Sequence, residues 1–449
     1  MHSDSDVRSF FTGASLALLL AAGSQAQTIW YVNSAAPSGG DGTSWATAFD
    51  SLEPAISAAV PADRIWVAAG TYHPTNLADP LDPRSARFRI ASHLKLFGGF
   101  NGTETALSQR NPDLFDDTIL SGDLGLLGDP SDNAYRVIEM PTFPASGIAR
   151  IDGFRITGGN ATEHGGGMVV GMTGMGFNPR VTLVSCTIDG NQAVRGGAIA
   201  VENFGVVRLV RCTVIENSAT EHGGAIYSYS GGVQAVNSRF SYNTAGGDGG
   251  ALWADSSGID WIEYANCLFV SNEADRGGAA FLKGGNSTSG VGSWFNCTLV
   301  LNQALTSGGA LYAITTTPAA ANAHVYNSVL WNNTAPSDPT IFGAGLDVRF
   351  SDVQGGYTGL GNLNVDPQFT GSVRPATGSP VNDAGSNSLI PNDFLDLDGD
   401  GNTTEPLPRD MLEAARRAND PMAPNTGEGS SPIVDMGAYE RSISGTTPP

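Results

Sequence analysis

Asp396, Asp398 and Asp400 stand at alternate positions, and Gly401 follows at the sixth. This is the first half of an EF-hand-type calcium loop, in which spaced carboxylates converge on a hard cation while glycine permits the sharp turn. The twelfth position holds Leu407 where such a loop supplies a bidentate glutamate, so the expectation is a partial, weak calcium site, set against a plain acidic turn. A second set of chemistry-bearing residues is the aromatic column Tyr227, Trp253, Phe281 and Tyr312, each one step beyond a Gly-Gly-Ala-x unit. If Ile226, Leu252 and Leu311 point inward, strand alternation sends these rings outward, where they form a platform for stacking sugars. If the alternation slips at the glycine pair they face the core instead, and both directions stay open. Just before each glycine pair lie His164, Arg195, His222, Asp248 and Arg276, with Glu163 and Glu221 preceding the histidines. Alternating charges beside a turn read as a solvated ladder. Acid/base or calcium-assisted cleavage of a polysaccharide needs clustered carboxylates with a basic residue. Asp189, Glu216, Asp255 and Glu273 fall at differing offsets, so the repeat assembles no such outward cluster.

The elements that must position these residues follow from an internal repeat. An alternating apolar run is followed by Cys or Ser, then by Asn five residues later, then by the glycine pair. The Cys/Ser column is Cys186, Cys212, Ser238, Cys267, Cys297 and Ser328, and successive members are 26, 26, 29, 30 and 31 residues apart. Short alternating runs without a ten-residue helical pattern mean strands, and one such period fits one coil of a solenoid. The expected fold is therefore all-β: a right-handed parallel β-helix with coils about 4.8 Å apart. Asn191, Asn217, Asn243, Asn272, Asn302 and Asn333 form the Asn column, read as a structural ladder in which each side chain bonds to the next coil. The glycine pairs accommodate positive φ or close backbone approach.

Composition agrees with a folded chain of this kind. Glycine supplies 58 of 449 residues, yet 41% of the chain is hydrophobic, too much for disorder. Charged residues are only 15%, the net charge is −21, and Lys95 and Lys283 are the sole lysines. So acidic a chain repels phosphate backbones and anionic lipid, which argues against nucleic acid or membrane-surface partners. Residues 1–26 read as a signal peptide, with an apolar run from Phe10 to Ala22 and Ser24 and Ala26 before the cleavage point, although Asp4 and Asp6 are unusual there. The mature chain is expected to be secreted or at the cell surface, monomeric, and without a transmembrane segment. All four cysteines lie in the core-facing column. Parallel Cβ vectors one coil apart suit free thiols better than bridges between Cys186 and Cys212 or between Cys267 and Cys297.

The expected organisation after the leader is a cap and early coils with insertions over 27–150, regular coils over 151–335, and a closing region over 336–449. Asp50 to Ala59 reads as a short capping helix, with Asp50 or Ser51 at its N-cap and Leu52, Ile56 and Ala59 on its apolar face. Arg64 to Tyr72 reads as the first strand and turn. Val348 to Ser351 and Gln368 to Thr370 read as late irregular strands, and 442–449 as a frayed tail.

The Gly-Gly-Ala-Ile units at 196–199 and 223–226, with their Phe/Leu-x-x-Asn partners, resemble the repeats of polymorphic outer-membrane proteins within the pectin lyase-like superfamily. Trp30 to Asn33, Gly42 to Trp45, Ile65 to Tyr72 and Gly98 to Thr105 resemble secreted bacterial β-helix proteins. Asp366 to Phe369, Gly378 to Pro380, Asp396 to Gly399 and Val434 to Glu440 resemble the choice-of-anchor Q region. The resemblance implies the fold strongly and the activity weakly, because relatives include adhesins, surface proteins and polysaccharide-degrading enzymes. Together these readings lead to the expectation of a non-catalytic, adhesin-like or glycan-binding scaffold whose partner is an extracellular glycan or cell-surface molecule. The alternative is a polysaccharide lyase or glycoside hydrolase.

Overall fold

The structure is a computed structural model that describes residues 27–141, 147–172, 178–255, 262–284, 292–315, 323–343 and 345–441. Residues 1–26 and 442–449, assigned above to a leader and a tail, lie outside these. Each regular coil contributes one short strand to each of four parallel sheets. Arg180–Val184 joins sheet 1, Thr187–Asp189 sheet 2, Gln192–Arg195 sheet 3 and Ile199–Glu202 sheet 4, before Val206–Val210 returns to sheet 1. The sheets hold 11, 10, 5 and 9 strands among the described residues. Register is preserved from coil to coil: Val181 pairs with Val207, Ile188 with Val214 and Ile199 with Ile226. The result is a right-handed parallel β-helix. Its interior is a single column of side chains, including Leu183, Cys186, Ile188, Ile199 and Val201, all essentially buried.

Three of the four bends in each regular coil carry recurrent residues. The first has positive φ at Ser185, Arg211, Asn237, Asn266, Asn296 and Asn327 (48–56°). Asparagine tolerates the left-handed region best among non-glycine residues, which accounts for its predominance there. Just beyond this bend the four cysteines are free and buried. Their thiols donate to main-chain carbonyls, as Cys186 does to Val184 O at 3.3 Å. Burial pushes the Cys186 and Cys267 thiols well up, so they stay protonated. The second bend carries Asn191 to Asn333. Asn243 shows the pattern: its Nδ2 donates to Val214 O at 2.9 Å and to Asn272 Oδ1 at 3.0 Å, while its Oδ1 accepts from Asn217 N and Nδ2, both at 3.1 Å. The third bend is the glycine pair. Gly249 has φ +72°, and a Cβ on Gly250 would sit 2.2 Å from Gly278 O.

At the N-terminal end, Leu52–Ala58 forms the α-helix, with Ser51 at its N-cap. Leu52 and Ala55 are fully buried against the first coil, while Ile56 only packs on its margin. Arg64–Ala68 is not the first strand. Ile29–Val32 precedes it and pairs with it in parallel, capping the sheet edge one coil earlier than the strand pattern indicated. The last strands are Asp347–Arg349 and Asp352–Val353. Gln368 to Thr370 forms no strand; Phe369 makes only an isolated antiparallel bridge with Pro375.

From there the chain does not merely close the end. It runs back along the first bend and docks on the left-handed asparagines. Asn237 Nδ2 donates to Asp410 O at 2.6 Å, Asn266 Nδ2 to Arg409 O at 2.6 Å, Asn296 Nδ2 to Asp435 O at 3.2 Å and Asn327 Nδ2 to Ser386 O at 2.9 Å. Apolar contacts support these bonds: Ile390, Leu397, Leu407 and Val434 cover Val184, Val210, Val236 and Ala265 on the outside of sheet 1.

Candidate functional site

The outer face of sheet 4 carries the aromatic column. Val169, Ala200, Tyr227, Trp253, Phe281, Tyr312 and Phe342 lie in register on successive coils. Their neighbours Ile226, Leu252 and Leu311 belong to the interior core, so the rings point outward and form a cluster of their own. Ring centroids are 4.7 Å apart for Tyr227 and Trp253, 6.4 Å for Trp253 and Phe281, 5.1 Å for Phe281 and Tyr312, and 4.4 Å for Tyr312 and Phe342. All four pairs are nearly parallel stacks.

Pointing outward has not made the column an open platform. Tyr227, Trp253 and Phe281 are 6%, 7% and 2% exposed, and only Tyr312 and Phe342 are half-buried. The expectation of an exposed strip therefore needs correction for three of its four residues. The causes are local: each ring shields the next, and the charged column beside the glycine pairs folds over them. His164 lies 5.4 Å from Tyr227 and His222 stacks on Trp253 at 5.4 Å. The Arg276 guanidinium sits 5.1 Å from the Phe281 ring and 5.2 Å from that of Tyr312, within cation–π range. Phe342 escaped the sequence reading because the Gly-Gly-Ala frame has lapsed by that coil.

The same charged column is paired rather than simply solvated. Arg276 makes a bidentate pair with Asp248 (2.7 and 2.9 Å), Arg195 pairs with Glu221, and His164 Nδ1 contacts Glu202. His222 Nδ1 accepts the Asp248 N–H at 3.1 Å, which assigns its remaining proton to Nε2. Burial lowers its pKa, so the ring is neutral near pH 7. Two residues past the rings, Glu202, Tyr229, Asp255 and Lys283 share another register column, with Lys283 Nζ 2.9 Å from Asp255. Tyr229 is 46% exposed. This column could have been found by stepping two positions along each strand.

The acidic loop is the other cluster. Asp396, Asp398 and Asp400 are joined by two residues the motif did not include, Asp393 and Glu405. One oxygen each from Asp393, Asp396 and Asp398 lie within 4.8 Å of one another, and so do those of Asp398, Asp400 and Glu405. Asp393 is fully buried. Its Oδ2 accepts from Leu397 N at 2.7 Å, and its Oδ1 has no hydrogen-bond partner. Burial raises the Asp393 carboxyl, and the charges of Asp398 and Asp396 raise it further. Asp398 and Glu405 also line a cavity of about 400 Å³, together with Arg416 and Arg417. Behind this cavity Arg416 is the hub of the docked segment. Its Nη1 donates to Asn266 Oδ1 at 3.1 Å and to Ala438 O at 3.2 Å, and its Nη2 to Asp435 O at 3.0 Å and Gly437 O at 2.9 Å.

Comparison with known proteins bears on the repeats first. Residues 211–229 and 237–255, which span the Cys/Ser, Asn, glycine-pair and aromatic columns, match the Chlamydia polymorphic membrane protein repeat. The chain is a parallel β-helix in which two coils carry repeats similar to those of polymorphic membrane proteins. Among solved structures, this β-helix is similar to the crystal structure of pectate lyase Pel9A at 14% identity, covering 94% of this chain and 98% of that one with a TM-score of 0.47. It is also similar to iota-carrageenase complexed to iota-carrageenan fragments at 16% identity, covering 64% of this chain and 57% of that one with a TM-score of 0.28. No curated protein matches the β-helix. Among the described residues no helix is long and apolar enough to cross a membrane.

Proposed function

We propose that the protein is a secreted or surface-displayed, adhesin-like β-helical scaffold that binds an extracellular glycan without cleaving it. The observation that carries this reading is the outward aromatic column of sheet 4, which ends in the half-buried rings of Tyr312 and Phe342 beside the Arg276 guanidinium. An aromatic face offers the C–H surface of a sugar a stacking partner, and a guanidinium offers hydrogen-bond donors to its hydroxyls or carboxylate. Stacked coils hold these groups at fixed spacing, so a linear glycan binds without ordering a loop. The surface assignment is supported by the polymorphic membrane protein repeat.

The binding strip is the Tyr312 end. Tyr227, Trp253 and Phe281 act beneath it as the packed support that sets its position. A glycan array run alongside a polysaccharide-degradation screen tests the reading. Tyr312→Ala and Phe342→Ala should lose glycan retention with little change in melting temperature, whereas Trp253→Ala should melt several degrees lower. Unchanged retention in both end variants would overturn the placement. Release of oligosaccharide products would favour the alternative of a polysaccharide lyase or glycoside hydrolase.

A further inference from the structure

The motif Asp396-x-Asp398-x-Asp400 lacks the glutamate that would finish a calcium loop, yet the fold brings in two carboxylates from outside it. Asp393 arrives from beneath the loop, fully buried, with Oδ1 unpartnered and an oxygen within 4.8 Å of those of Asp396 and Asp398. A fully buried carboxylate oxygen without a donor is costly unless a proton or a cation completes it. Two further carboxylates at that distance favour the cation, because a proton on one leaves the others repelling each other. Glu405 stands on the other side, within 4.8 Å of Asp398 and Asp400.

Calcium is large and tolerant enough for such a cluster. Two ligand oxygens on opposite sides of Ca²⁺ are separated by about 4.6–5.2 Å, twice its 2.3–2.6 Å bond, whereas around Mg²⁺ they can be no more than about 4.2 Å apart. The clustered oxygens lie within 4.8 Å of one another, inside the span that calcium accommodates. Five carboxylates and no nitrogen or sulfur donor also describe a hard-cation site and not a zinc one. We propose that Asp393, Asp396 and Asp398 bind a calcium ion, with Asp398 shared by the outer pair Asp400 and Glu405, and that the ion fastens the docked C-terminal segment to the flank of the helix.

The fastening follows from what brackets the loop. Leu397 and Leu407 are buried against Val184, Val210, Val236 and Ala265 of sheet 1. The Leu397 carbonyl accepts from Arg211 Nη2 at 2.7 Å. Arg211 in turn pairs with Glu413 at 2.7 Å. An ion that holds Asp393 to Asp398 therefore holds Leu397 in its apolar seat. Without it, five clustered carboxylates repel one another within a segment secured by a few side chains.

Calorimetric titration of the full chain, freed of metal with chelator, tests this using calcium chloride alone. Saturable binding is expected, with a rise of several degrees in melting temperature at saturating calcium that chelator reverses. Magnesium at the same concentration should give a smaller rise. Asp398→Asn alters an exposed residue and should fold normally while weakening calcium binding at least tenfold. Asp393→Asn should do the same and, if it folds, should lose the calcium-dependent rise. No binding heat and no shift at millimolar calcium would overturn the proposal, as would full calcium affinity in Asp398→Asn. A response to magnesium equal to that with calcium would overturn the choice of ion.

Discussion

Replacing Asn243 by alanine probes the ladder on which every candidate site is mounted. Asn243 is fully buried in the middle of the column. Truncation leaves the Asn217 main-chain N–H without its partner, since that group donates to Asn243 Oδ1 at 3.1 Å. An orphaned buried donor costs about 1–3 kcal/mol. Three further hydrogen bonds disappear: those from Asn243 Nδ2 to Val214 O and Asn272 Oδ1, and that from Asn217 Nδ2. At about 1 kcal/mol each, the total loss is about 4–6 kcal/mol. Because coils interact mainly with their neighbours, the damage should concentrate there. Native-state hydrogen exchange should show the Asn217 amide losing protection by at least a hundredfold, alongside a lower urea midpoint. A loss under about 1 kcal/mol, with Asn217 protection unchanged, would refute the claim that the ladder is a chain of individually needed bonds.

Other consequences are open to measurement. Asp352 is fully buried, accepts only the Val365 N–H at 3.0 Å, and has its carboxyl pushed up to about 7 by burial, with Asp366 adding to the rise. A carboxyl raised in the folded state is more protonated there than in the unfolded chain, so its contribution to stability falls as pH climbs from about 4 to about 7. Asp352→Asn should remove that term and gain about 2–3 kcal/mol on the wild type between pH 5 and pH 8, as read by paired melts; parallel pH profiles would contradict it. Gly250→Ala should lower the melting temperature sharply, because its Cβ would meet Gly278 O at 2.2 Å and Glu273 N at 2.7 Å, both main-chain atoms of the next coil. Thiol titration of the denatured, unreduced protein should find all four cysteines reactive.

The repeat was legible because a β-helix reuses one environment per coil. Residues at equivalent bends meet equivalent constraints, so columns of Asn, Cys/Ser and Gly-Gly recur at nearly constant spacing and define strands, bends and interior without tertiary information. The capping helix was legible for a similar local reason, since its cap and its buried Leu52 lie within one short stretch. The direction of the aromatic column stayed open in the sequence, since alternation past Ile226 and Leu252 could slip at the glycine pair, and the stacked coils decided it. Its burial was not legible either, because the cover comes from rings on other coils and from Arg276 and His222, which reach over from a neighbouring column.

The course of the last hundred residues was the least legible part, for the same reason in stronger form. Many of its partners lie far off in the chain, 139–202 residues for Arg211 with Glu413, Asn237 with Asp410 and Asn296 with Asp435. Nothing periodic marks such contacts. The left-handed asparagines at the first bend look like ordinary bend residues until the returning chain uses their side chains. The acidic loop divides along the same line. Its three alternating aspartates are a local pattern and could be read directly, whereas Asp393 joins them from a buried position outside the motif and Glu405 comes close to Asp398 and Asp400 from a position other than that of the missing glutamate. Chain order is enough where neighbouring residues share one backbone geometry. Where a group's environment is supplied by segments that meet only after the coils have stacked, burial, charge and coordination are set by the folded surface on which they meet.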